Sequence, residues 1–106
     1  MCERPSLMKT ILVQYRVKAD QPAANIALIQ AVFAQLASEA PTGLRYASFV
    51  QDDGVSFVHI ASVEGPANPL TALTAFKAFS EKIKDRCEEP PQSRELKTVG
   101  AYRFFE

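Results

Sequence analysis

The sequence predicts an α+β domain in which two helices cover one face of a four-stranded antiparallel sheet. Apolar and polar residues alternate from Thr10 to Lys18, and helical spacing follows from Gln21 to Ala40. Two strand-like runs, Leu44 to Gln51 and Val55 to Val63, flank an Asp52-Asp53-Gly54 turn. A second helical pattern from about Leu70 to Cys87 leads to a last strand near Glu95 to Phe105. Strand, helix, hairpin, helix, strand is the order of the ferredoxin-like split β-α-β arrangement.

Each element has a local cause. In the first strand Ile11, Val13, Tyr15 and Val17 share one face, and Leu12, Gln14 and Arg16 share the other. Asp20 is placed to cap the following helix, and Pro22 in its first turn forgoes no hydrogen bond. Ile26, Ile29, Phe33, Leu36 and Ala40 recur at helical spacing as a core stripe, which Leu28 and Val32 widen. Pro41 and Gly43 stop that helix. Asp53-Gly54 is the signal for a type I′ hairpin turn, which needs positive φ at both central residues.

That turn sets Val50 opposite Phe57, Ser48 opposite His59 and Tyr46 opposite Ala61. One sheet face then carries Leu44, Tyr46, Ser48, Val50, Phe57, His59 and Ala61. The other carries Arg45, Ala47, Phe49, Val58, Ile60 and Ser62. Both faces hold substantial apolar side chains, which a sheet with one face in water does not need. In the second helix Leu73, Phe76, Ile83 and Cys87 form the expected stripe, with Phe79 beside it. Glu88 to Ser93 reads as a linker stiffened by Pro90 and Pro91. The uncovered sheet face is most economically met by a second copy, so a homodimer through the sheets is expected.

Composition narrows the function. The 106 residues fit one domain, residues 9–106, after a flexible start at residues 1–8. Lysine and arginine total 12, as do aspartate and glutamate, which argues against nucleic acid as a partner. No apolar stretch approaches the roughly 20 residues that span a bilayer. The first eight residues lack the apolar centre of a secretory signal, so a cytoplasmic protein is expected. Cys2 and Cys87 form no C-x-x-C pair and read as reduced thiols. One histidine and no cysteine cluster argue against a metal centre.

The chain resembles the antibiotic-biosynthesis-monooxygenase-like group of the dimeric α+β barrel superfamily. The likeness runs from about Lys9 to Phe104 and rests on three stretches, residues 11–18, 43–49 and 52–59. The segment Asp85-Arg86-Cys87-Glu88-Glu89-Pro90-Pro91 looks like a marker of an uncharacterised bacterial subgroup. The resemblance implies two subunits packed sheet to sheet, with a ligand cavity between each sheet and its helices. It also implies oxidation of an aromatic or polyketide-like substrate without metal or flavin. The chain has no tryptophan, a residue that the haem-degrading and phenol-oxidising members use. Its histidine lies on a strand, whereas the haem-degrading pattern has one on the second helix.

His59 is the candidate catalytic residue, because its unperturbed pKa lies near neutrality and it could remove a phenolic proton. An electron-rich phenolate or carbanion is what gives an electron to dioxygen. Tyr15, Tyr46, Ser48 and Phe57 are candidate ligand contacts, and Arg16 is a candidate partner for an anionic group. Against these stand ordinary roles: a packed histidine, core tyrosines and an edge charge. A non-catalytic ligand-binding or dimeric interaction module is the alternative function.

Overall fold

A computed structural model describes residues 8–104 of the chain. Apart from Met8, the expected flexible start lies outside the described residues, as do Cys2 and Phe105. The elements are β1 (Met8–Val17), α1 (Pro22–Glu39), β2 (Leu44–Val50) and β3 (Ser56–Glu64). A 3-10 turn (Pro69–Ala72), α2 (Thr74–Glu81), the single turn α3 (Ile83–Arg86) and β4 (Cys87–Leu96) follow. The antiparallel sheet has the order β2-β3-β1-β4, the ferredoxin-like arrangement expected.

The hairpin register is the expected one, with Val50 facing Phe57, Ser48 facing His59 and Tyr46 facing Ala61. The turn itself differs. Gly54 has φ +77° but Asp53 does not take positive φ, so the loop is not type I′. Gly54 N–H donates to the Gln51 carbonyl, and the Asp53 carboxylate accepts from the backbone N–H groups of Val55 and Ser56. The Ser56 hydroxyl donates to the same carboxylate, and these bonds hold Asp53 below the usual carboxylate pKa range. Asp53 thus closes the loop with its side chain instead of its backbone.

The core lies between the odd-numbered face of β1 and the helices. Tyr15, Val17, Ile29, Val32, Phe57, Leu70, Leu73, Phe79 and Cys87 form it. Fully burying a side chain such as Val32 or Phe57 contributes about 1.5–3 kcal/mol each. The α1 stripe is rotated from the expected one. Asn25, Ile29 and Val32 face inward, while Ile26 is 36% exposed and Ala40 lies in solvent. Asp20 does not cap α1; Gln21 holds that position without a side-chain bond. At the other end Ala40 takes φ +45° and its N–H donates to the Leu36 carbonyl.

Two larger departures concern the second half. The expected long helix is broken into the 3-10 turn, α2 and α3. Leu73 is extended and caps α2 with no side-chain bond of its own, so Gln35 of α1 supplies the acceptor for Ala75 N–H at 2.9 Å. The last strand begins at Cys87, so the presumed linker is strand and residues 97–104 are irregular. Prolines fit there because β4 is an edge strand and its pairing with β1 slips twice between Gln14 and Val17. Among the described residues no helix is long and apolar enough to cross a membrane.

Phe79 is buried at the centre of this packing, whereas Phe76 is only partly covered. Phe79→Ala is expected to destabilise the fold by about 3–5 kcal/mol, and Phe76→Ala by clearly less. Urea denaturation of the two variants checks the order.

Candidate functional site

Register alone brings three hydroxyls toward His59. Ser48 sits directly across from it on β2, and Val13 directly across on β1. Tyr46 and Tyr15 are therefore its diagonal neighbours, close enough on a pleated face for long side chains to touch. Tyr15 Oη lies 2.7 Å from His59 Nε2, and Tyr46 Oη and Ser48 Oγ lie 2.7 and 2.8 Å from Nδ1. Both ring nitrogens are thus occupied. Stacked rings hold the imidazole in place: Tyr15 on one side at 5.3 Å and Tyr46 at 5.9 Å, with Phe79 tilted against it at 5.4 Å. Phe57 lies parallel to Tyr15 at 5.5 Å and steadies the phenol from below.

The series continues into the helices. Asn25, fully buried on α1, donates through Nδ2 to Tyr15 Oη at 2.9 Å. Arg86 donates through Nε to Asn25 Oδ1 at 3.0 Å and through Nη2 to the Phe79 carbonyl at 2.7 Å. Its guanidinium also lies 5.3 Å above the Phe79 ring. Arg86 is buried, and among the described residues no carboxylate pairs with it. The short β1–α1 connection and the α3–β4 joint bring these residues together, with Lys18 N–H donating to the Arg86 carbonyl at 2.8 Å.

Burial sets the protonation states. Loss of water pushes the His59 pKa down to about 4, so the ring is neutral at pH 7. It drives the Tyr15 phenol far above its ordinary range and raises that of Tyr46, against a hydrogen bond from Ser48. The Cys87 thiol is likewise pushed up by burial, and it sits in the core. A cavity of about 210 Å³ opens beside this series. Tyr15, Tyr46, His59, Phe76, Phe79 and Leu70 are among the side chains that line it.

Of the residues expected at a site, Tyr15, Tyr46, Ser48, Phe57 and His59 converge here. Arg16 does not join them. It lies on the opposite sheet face, where its Nη2 is 2.6 Å from the Glu89 carboxylate and its Nε 3.7 Å from that of Glu88. Asn25 and Arg86 are the additions. A polar residue four before Ile29 and seven before Val32 was the available signal for Asn25. Among the described residues no group of three or more His, Cys, Asp and Glu is placed to hold a metal ion.

The site and sheet define an α+β fold with a polar series at the wall of a cavity between sheet and helices. No family model matches the chain and no curated protein matches it. Solved structures do share its fold. A candidate antibiotic biosynthesis monooxygenase from Nitrosomonas europaea is 17% identical, with 88% of this chain and 91% of that one covered and a TM-score of 0.69. A cofactor-independent oxygenase from Streptomyces nogalater is 15% identical, with coverages of 92% and 98% and a TM-score of 0.67. A candidate antibiotic biosynthesis monooxygenase from Bacteroides thetaiotaomicron is 9% identical, with coverages of 89% and 91% and a TM-score of 0.75. At these identities the likeness is one of fold.

The depressed His59 pKa has a consequence for stability. Between about 4 and 6.5 the unfolded chain binds a proton at His59 that the folded chain does not. Stability therefore declines as pH falls through that window, by about 3 kcal/mol in all. His59→Gln removes this contribution, so the difference in urea midpoint between the two proteins should change with pH across the window and be flat above it.

Proposed function

We propose that the protein is a homodimeric, cofactor-independent monooxygenase acting on a small aromatic substrate with an acidic hydroxyl. The observation that carries this reading is the neutral His59, tied to two phenols and a serine at the wall of an apolar, aromatic-lined cavity. The fold shared with a cofactor-independent oxygenase supports it. In the chemistry, a base removes the substrate proton and the resulting anion passes an electron to dioxygen. The two radicals combine to a peroxide anion, which takes the proton back from the base, and the resulting hydroperoxide loses water to leave a carbonyl. Overall a phenol and O₂ become a quinone and H₂O: the ring C–H carbon becomes C=O, the two hydrogens of the water come from that carbon and the hydroxyl, and no outside reductant is needed. The protein supplies the base, the orientation and a dry setting.

Magnitudes bear on His59 as that base. A phenol near pKa 10 giving its proton to a group of pKa about 4 runs uphill by roughly 8 kcal/mol. A turnover of about 10 per second corresponds to a barrier of about 16 kcal/mol, so such a step leaves about half for electron transfer. Since hydroxyls occupy both nitrogens, the proton travels through one of them. The cavity size selects the substrate class. About 210 Å³ exceeds the roughly 150 Å³ that accepts benzene but lies below the roughly 300 Å³ where drug-sized sites begin. A one- or two-ring phenol fits better than a larger polyketide.

The second reading, a ligand-binding module without chemistry, is favoured by the complete satisfaction of the His59 nitrogens. Oxygen uptake separates the two. With hydroquinones or naphthols the oxygenase reading expects enzyme-dependent uptake, reduced by about 10²-fold or more in His59→Ala. Saturable binding without uptake supports the module, and an unchanged rate in His59→Ala removes it as base.

The homodimer reading rests on the sheet face that carries no helix. There Phe49 is 48% exposed, and Leu12, Val58 and Ile60 are only partly buried. The free, buried Cys87 fits a cytoplasmic setting. Sedimentation should give a dimer that Ile60→Asp converts to monomer; a folded wild-type monomer at low micromolar concentration overturns it.

A further inference from the structure

We infer that Arg86 and Asn25 are positioning residues that fix the direction of every hydrogen bond reaching His59, and that this direction leaves the cavity wall a hydrogen-bond donor toward its ligand. The functional part rests on reading the cavity as the oxygenase site; the direction of the bonds does not depend on turnover.

The Arg86 guanidinium has donors and no acceptor. The Asn25 atom 3.0 Å from Arg86 Nε must be the amide oxygen, so the amide nitrogen faces Tyr15 Oη at 2.9 Å. Tyr15 therefore accepts from Asn25 and needs an acceptor for its own hydrogen. Among the described residues that acceptor is His59 Nε2, at 2.7 Å. Nε2 is then the bare nitrogen of a neutral ring, and Nδ1 carries the hydrogen. Nδ1–H donates to Tyr46 Oη or Ser48 Oγ, at 2.7 and 2.8 Å.

At this end three hydrogens meet two oxygens. The ring hydrogen goes to one hydroxyl, a second hydrogen can pass between the hydroxyls, and the third finds no acceptor within the trio. With Nδ1–H on Ser48 Oγ and the serine hydrogen on Tyr46 Oη, the spare hydrogen is the Tyr46 phenol's, and Tyr46 lines the cavity. In the opposite direction one hydroxyl would donate to Nδ1 and the other to its neighbour, leaving nothing over. The wall therefore suits a ligand that presents an acceptor oxygen, a phenolate or a carbonyl. The direction also selects the proton's route. Nδ1 is filled, so a departing proton enters at Tyr15 Oη, which passes its own hydrogen to Nε2.

His59 is the one histidine in the chain, so nitrogen-15 NMR of the intact protein reads its tautomer without ambiguity. Near neutral pH the wild type is expected to show the pyridine-type signal at Nε2 and the protonated signal at Nδ1. Asn25→Asp places a carboxylate where the amide was, which pairs with Arg86 and accepts from Tyr15. The series then reverses, and the pyridine-type signal moves to Nδ1. A wild type protonated at Nε2 overturns the inference, as does a folded Asn25→Asp protein with an unchanged tautomer. Should that variant not fold, the wild-type spectrum alone decides. Absent oxygen uptake alongside an Nδ1-protonated ring would end the oxygenase reading and leave this assignment intact.

Discussion

A guanidinium that leaves water without a carboxylate must hand its hydrogens to neutral acceptors, because an unsatisfied buried charge costs several kcal/mol. In this fold that demand falls on the joint between α3 and β4. Arg86 meets it with the Asn25 amide oxygen on α1 and the Phe79 carbonyl on α2. Its own carbonyl receives the N–H of Lys18 just beyond β1. Its side chain thus ties α1 and α2 to the α3–β4 joint, and its backbone ties in the end of β1. The orientation of the Asn25 amide toward Tyr15 follows from that side chain, while strand register sets His59 beside Tyr15.

The resulting site is polar in its connections and apolar in its surroundings. Low dielectric strengthens hydrogen bonds that are made and penalises charge that is not compensated. Both effects keep the histidine and the two tyrosines neutral at rest. The imidazole gains charge only once the pH falls to about 4. The aromatic rings stacked around His59 serve the same end by restricting how the imidazole can turn.

The alternation of residues 10–18 and the pairing of Ser48 with His59 were legible because strand period and hairpin register are local properties. Those two facts placed Tyr46, Ser48 and His59 on one face, whereas Tyr15 joins them through the pairing of β1 with β3, which is not local. Asn25 was hidden by the broad apolar surface of α1, where several stripes fit the sequence and packing selects among them. Arg86 was hidden because nothing local distinguishes a buried arginine from a solvated one in a charged run. The helix after Pro69 was overextended for a related reason: its apolar spacing continues through Leu73, where the chain is extended. Prolines suggested a linker at residues 88–93, but an edge strand tolerates a missing N–H.

Those same prolines limit what can pair along the outer edge of β4. Pro90 and Pro91 have no amide hydrogen to offer, and the two slips in pairing bend the outer margin of β4. A neighbouring molecule cannot add a regular strand along that border, so lateral growth into ribbons is blocked there. The helix-free face of the sheet, where Phe49 is exposed, carries no such block.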